Sequence, residues 1–196
     1  LWYADELDAD DNPTGKRVTT SDYASADYYY VNKSSLPKVY GGFNTSLSWK
    51  GFDLSAIFAY SIGGYIYNRD ITMILHNGSL EGRAWSTEIL RRWTPDNRYT
   101  DVPALSTTSN NWNSASTRFL QNNSYMRLKN LTLSYNLPKP WVSKLALSSV
   151  QVYVQGDNLF TIHKNQGLDP EQGITGITYY RYPAMRTISG GINIAF

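Results

Sequence analysis

The sequence predicts an all-β fold: antiparallel transmembrane strands of a β-barrel, with long loops at one end. Three observations predict it. Residues 186–196 read R-T-I-S-G-G-I-N-I-A-F. Ile188, Ile192, Ile194 and Phe196 share one parity with Gly190, while Thr187, Ser189, Gly191, Asn193 and Ala195 share the other. Two further runs, 39–49 and 52–62, alternate over about the 9–11 residues that a tilted strand needs to cross a bilayer. The connections are short at one end and long at the other, as in barrels with short periplasmic turns and long extracellular loops.

Composition narrows the classes. A chain of 196 residues is one domain by default. Charged residues are 17%, below the roughly 25% of soluble domains, while aromatics reach 14% with 16 Tyr and 6 Trp. A net charge of +2 is too small to argue for a nucleic-acid partner. Without Cys there is no disulfide frame, Cys-based metal site or Cys nucleophile. No apolar run approaches the roughly 18 residues of a membrane helix. Asp5, Glu6, Asp8 and Asp10 rule out a signal peptide in the first ten residues. The chain reads as mature, or as part of something longer.

In chain order, residues 1–37 are polar and turn-rich and read as a long extracellular loop segment. The rest, 38–196, reads as barrel. In the first strand Val39, Gly41, Phe43, Thr45, Leu47 and Trp49 face one way. Lys50-Gly51 makes a tight hairpin turn, because Gly accepts positive φ. In the second, Phe52, Leu54, Ala56, Phe58, Tyr60 and Ile62 oppose Asp53, Ser55, Ile57, Ala59, Ser61 and Gly63. Alternation is then lost over a loop at about 64–117, far longer than usual inside a compact domain. Within it, Leu80, Trp85, Ile89, Leu90 and Trp93 predict a helix over 81–93. Residues 125–136 form a third strand whose phase changes, with Met126 and Leu128 even and Leu131, Leu133 and Tyr135 odd. Either a bulge near Lys129-Asn130 reconciles the halves, or 125–129 lie above the lipid. Pro138-Lys139-Pro140 ends this strand and 141–145 read as one helical turn. Val150, Val152 and Val154 mark the fourth strand. A second loop, about 161–185, leads to the fifth.

Ordered segments of the chain resemble one family. Leu36-Pro37-Lys38-Val39-Tyr40-Gly41-Gly42-Phe43 and Lys50-Gly51-Phe52-Asp53-Leu54-Ser55 resemble late barrel strands of SusC/RagA-type TonB-dependent outer-membrane transporters. So do Arg92-Trp93-Thr94-Pro95-Asp96-Asn97, the run from Ser124 to Tyr135, and Val152-Tyr153-Val154-Gln155-Gly156-Asp157-Asn158-Leu159-Phe160-Thr161. Gly167-Leu168-Asp169-Pro170-Glu171 and Tyr182-Pro183-Ala184-Met185-Arg186-Thr187 complete the set. The resemblance implies the C-terminal five or so strands of a barrel of about 22. It implies an importer of oligosaccharides or peptides in the outer membrane of Bacteroidetes-like bacteria. The implied partners are the remainder of the same transporter (plug and N-terminal strands), a SusD-like lipoprotein, the TonB complex acting on the N-terminal part, and outer-membrane lipid. Five strands alone would leave open edges in lipid, so the chain reads as the C-terminal portion of such a protein.

The polar parity would then line the lumen: Asn44, Ser46, Asp53, Ser55, Thr132, Ser134, Gln151, Tyr153, Gln155 and Asn193. Trp49, Phe52, Trp141 and Phe196 would anchor at the periplasmic interface. The resemblance implies that assembly machinery reads the C-terminal strand, with Ile192, Ile194 and Phe196 as the signal. Trp85, Trp93, Tyr99, Trp112, Tyr179, Tyr180 and Tyr182 cluster in the long loops. Flat rings with polar edges suit sugars and peptide side chains, so these are candidate cargo-contacting or lid-contacting residues. Their alternative role is loop packing.

No catalytic residue, metal site or cofactor is predicted. Asp8, Asp10 and Asn12 have calcium-loop spacing, but Pro13 and Thr19 stand where such a loop needs Gly and Glu; a solvated loop is the expectation. Asp169 and Glu171 could form a glycosidase acid pair, but they flank Pro170 and read as a turn. His76 and His163, in separate loops, read as surface residues. The competing function is a secreted glycan-binding β-sandwich.

Overall fold

A computed structural model describes residues 2–78, 80, 82–106, 113–165, 167, 169–171 and 173–196. Its strands are β1 (Trp2–Leu7), β2 (Pro13–Thr20), β3 (Val39–Trp49), β4 (Phe52–Ile62), β5 (Tyr65–Asn68), β6 (Leu120–Asn122), β7 (Tyr125–Asn136), β8 (Ser149–His163), β9 (Ile177–Thr178) and β10 (Thr187–Ala195). Two short helices are α1 (Arg69–Ile74) and α2 (Lys139–Val142). The chain forms two compact units. One is Leu1–Lys33, Ile66–Gln121 and Ile177–Tyr180; the other is Ser34–Tyr65, Asn122–Gly176 and Arg181–Phe196.

The second unit is one antiparallel sheet, ordered β10-β8-β7-β4-β3. These are the five strands expected, in chain order. Trp49 pairs with Phe52 across Lys50 and Gly51, whose φ values of 48° and 88° define a primed hairpin turn matched to strand twist. The phase change in β7 is a bulge. Phe58 pairs with Leu128 but Ile57 pairs with Asn130, leaving Lys129 over. Strand β8 answers with its own irregularity, pairing Gly156 and Asp157 with Leu131 and Asn130 and then Phe160 with Leu128. As a result Arg127, Asn130 and Asp157 share the polar face.

The register sets all ten expected lumen residues on one face. The other face is apolar and uncovered. Phe43 stacks on Phe58 with centroids 4.7 Å apart, and Leu47, Leu54, Leu133, Val152, Val154, Ile188, Ile192 and Ile194 are exposed. Trp49, Phe52, Trp141 and Phe196 all lie at the short-connection end and are exposed. There Phe52 also tilts against Tyr135 at 4.5 Å. These apolar side chains are exposed, where a sandwich would bury them against a second sheet.

In the other unit, the stretch read as loop contains the hairpin β1–β2, with Ala4 opposite Val18 and Asp5 opposite Arg17. Neither face of β2 is apolar, so period gave no signal. The hairpin is held by polar contacts instead. Asp27 accepts the Asp5 N–H at 2.8 Å, and the Tyr29 hydroxyl donates to Asp5 at 2.8 Å beneath the Arg17 guanidinium. Desolvation and the Asp5 carboxylate push the Tyr29 hydroxyl up to about 12.

The core of this unit is Ile71, Leu75, Ile89, Val102 and Phe119, with Tyr67 packed against it. The helix expected over 81–93 is not formed. Gly82 has φ +72°, Ser86 is extended, and only a 3-10 turn, Thr87–Arg91, follows. The Trp93 N–H then turns to the Val102 carbonyl at 2.8 Å. The α-helix is instead α1, capped by Asn68, whose side chain accepts the Ile71 N–H at 3.1 Å. His76 is not on the surface. It is 2% exposed, and its Nδ1 accepts from the N–H groups of Gly78 and Leu80 and from Trp85 Nε1. His163 is exposed.

Candidate functional site

The polar face of the sheet is a hydrogen-bonded array. At one level it crosses all five strands. Ser48 donates to Asp53, Asn136 donates to Asp53 at 2.7 Å, Gln151 donates to Asn136 at 3.1 Å, and Asn193 donates to Gln151 at 3.1 Å. A second level joins Thr132, Asn130 and Asp157, with Gln155 on the same carboxylate. Each step needs a polar residue on the same parity of consecutive strands, which the alternation supplies.

A third level is ionic. Arg127, on β7, is 3% exposed. Its Nε donates to Thr161 at 2.8 Å, and its two terminal nitrogens donate to Glu171 at 2.8 Å and to Asp169. Lys129 meets both oxygens of Glu171 at 2.6 and 2.7 Å. Burial alone would raise the Asp169 carboxyl. The N–H groups of Ala184 and Glu171 and the Arg127 guanidinium outweigh it and hold Asp169 below the usual aspartate range. Both carboxylates are therefore paired with cations, and Asp169 is shifted away from the raised proton affinity that a general acid needs. Sequence reasoning gave this turn no partners and missed Arg127 altogether. The available signal was Arg127-Leu128-Lys129 on a strand and Asp169-Pro170-Glu171 in a loop: two cations and two anions at equal spacing.

The loop aromatics divide. Tyr179 and Tyr180 come together with centroids 4.3 Å apart at 48°. The Arg69 guanidinium lies 4.7 Å from the Tyr179 centroid, Arg83 donates to the Tyr180 hydroxyl at 3.3 Å, and Asp70 accepts the Tyr180 N–H at 2.9 Å. Tyr180 holds φ at 47°, a costly conformation for a bulky residue. Trp85 is half exposed and committed to His76. Trp93, Tyr99 and Tyr182 are exposed. Trp112 lies outside the described residues. At the hairpin tip, Asp8 turns its carboxylate onto the N–H groups of Asp10 and Asn12, both at 2.9 Å, which lowers its proton affinity. That is turn chemistry. Among the described residues no three His, Asp or Glu side chains converge as a metal site would need.

This sheet and its loops match known proteins. The chain is 34% identical to the TonB-dependent receptor P3 of Formosa agariphila, over 97% of its own length and 20% of that receptor. The chain belongs to the SusC/RagA-type TonB-dependent receptors. It is 27% identical to the TonB-dependent receptor SusC of Bacteroides thetaiotaomicron, over 85% of its length and 16% of SusC. It superposes on the RagAB peptide importer in the closed-closed state with a TM-score of 0.79 and 33% identity, over 100% of this chain and 22% of that one. No protein-family model matches the chain. It spans about a fifth or less of the curated relatives it matches. Members of this SusC/RagA-type family are named as receptors and importers, not as hydrolases. That agrees with an Asp169 and Glu171 tied to Arg127 and Lys129.

Proposed function

We propose that the five-stranded sheet is a section of barrel wall, and that the loops at its long-connection end are extracellular. The whole protein is then an outer-membrane importer for oligosaccharides or peptides. About 22 strands close the barrel around a plug. TonB acts through the part of the receptor preceding these strands, and a SusD-like lipoprotein caps the mouth. Residues 1–37, about 64–117 and about 161–185 face outward. Trp85, Trp93, Tyr99, Trp112, Tyr179, Tyr180 and Tyr182 are the cargo-contacting or lid-contacting residues. The Tyr179–Tyr180 pair is the best prepared, its rings tilted against each other, flanked by Arg69 and Arg83, and exposed.

One observation carries the reading: a predominantly apolar face with exposed Leu, Val and Ile side chains lies opposite a hydrogen-bonded polar face, across strands long enough to span a bilayer. The test is fractionation of the whole receptor, followed by uptake of labelled peptide and oligosaccharide pools. Outer-membrane recovery only with detergent, and uptake that depends on the proton gradient, are the expected results. A receptor that is soluble and monomeric without detergent would sink the proposal. In the same receptor Phe196→Asp should lower the amount assembled, because Ile192, Ile194 and Phe196 end the strand that closes the barrel. Unchanged outer-membrane levels would remove the C-terminal strand from that role.

A further inference from the structure

We propose that Arg127 is a positioning residue: it latches both legs of the segment between β8 and β10 to the polar face of the sheet. The outgoing leg is held directly, through Asp169 and Glu171. The returning leg is held through Asp169, whose second oxygen accepts the Ala184 N–H at 2.6 Å. Asn158 adds a tie from the irregular part of β8, donating to the Met185 carbonyl at 3.2 Å. Tyr182 lies two residues before Ala184, so the latch fixes where this exposed ring is presented.

The strand irregularities explain how the latch is built. In a regular β7, Arg127 and Lys129 would share a face and Asn130 would point to the other. The bulge at Lys129 lets Arg127, Lys129 and Asn130 all reach polar-side partners: Glu171 for the first two and Asp157 for the third. Two cations meet two anions, so the cluster is neutral. Arg127 meets three acceptors from three separate nitrogens of its planar fork, whereas a Lys would have to meet them all from one nitrogen. A buried pair of this kind contributes little net stability, because desolvation offsets attraction. It does penalise every arrangement in which one partner is left alone. Asp169, Glu171 and Ala184 are therefore held in one discrete position against the sheet.

The experiment is amide hydrogen exchange on the whole receptor in detergent. In Arg127→Gln and in Asp169→Ala, residues 169–171 and 182–186 should exchange faster, on the order of tenfold, while β8 and β10 exchange as in the unmodified protein. Arg127→Lys should fall between, because an ammonium keeps the charge but offers its donors from one nitrogen and not along a fork. Unchanged exchange in both segments overturns the latch. So does an equal rise throughout β8 and β10, which would make Arg127 a residue that holds the sheet together. If Arg127→Gln does not assemble, Glu171→Gln decides. It lies outside the strands, and a rise of about threefold confined to 169–171 supports the latch, while no rise overturns it. No cargo enters this assay, so its failure leaves the importer reading standing, and failure of the uptake assay leaves the latch standing.

Discussion

Val154 and Gln155 are neighbours in β8 and point to opposite faces of the sheet. Val154 is exposed on a face with no polar side-chain contact, beside Leu133. Gln155 lies on a face where side chains bond side chains across strands, and it reaches Asp157 at 3.3 Å. A soluble sheet shows the reverse: its apolar face is covered and its polar face is wet. Here the face with no partners is the apolar one, and the polar face has been given partners. The contrast is the one that the proposed barrel wall, with lipid on one side and water on the other, requires.

The sharpest way to break this comparison is one substitution made at both residues. Val154→Arg should cost about 2–4 kcal/mol if this row lies near the bilayer midplane. Gln155→Arg should stay within about 0.5 kcal/mol, since Asp157 waits beside it. Urea unfolding of the whole receptor in lipid vesicles measures both. Equal effects at the two positions would erase the distinction between the faces.

Period two is what made that distinction legible. It gave β3, β4, β8 and β10 with their faces, and the phase slip in β7 left a bulge as one of two readings, which the register then resolves. Elements whose stability does not come from one apolar face stayed hidden. The hairpin β1–β2 mixes polar and apolar residues on both faces, and α1 is six residues long with its N-terminus fixed by Asn68. Leu80, Leu90 and Trp93 imitate a helix period, but Gly82 and Ser86 break the backbone there. The latch was hidden for another reason. Arg127 and its carboxylates are 42 and 44 residues apart, and only strand adjacency brings them together. His76 showed nothing in sequence because its burial depends on donors arriving from Gly78, Leu80 and Trp85.

A second test stays on β10, where two glycines face opposite ways. A Cβ at Gly191, on the polar face, would stand 2.7 Å from the Tyr153 hydroxyl and 2.9 Å from its ring. Gly191→Val should cost about 1–3 kcal/mol through overpacking. A Cβ at Gly190, on the apolar face, meets one carbonyl oxygen at 3.3 Å and no side chain. Gly190→Ala should therefore cost less. The same unfolding assay ranks them, and a larger loss at Gly190 would show that the polar face is the looser one.

The smallest effect concerns the array itself. Asn136 bridges Asp53 on one side and Gln151 on the other. Asn136→Ala and Gln151→Ala should each cost about 0.5–1.5 kcal/mol, the net worth of ordinary hydrogen bonds exchanged with water. Their sum is less informative than their coupling. If the array acts as one network, the double variant should lose less than the two single losses added, because the second substitution removes a partner already stranded by the first. Additive losses would mean that each strand pair is wetted separately. The polar face would then be a surface that tolerates water, and the contrast with the apolar face would rest on lipid alone.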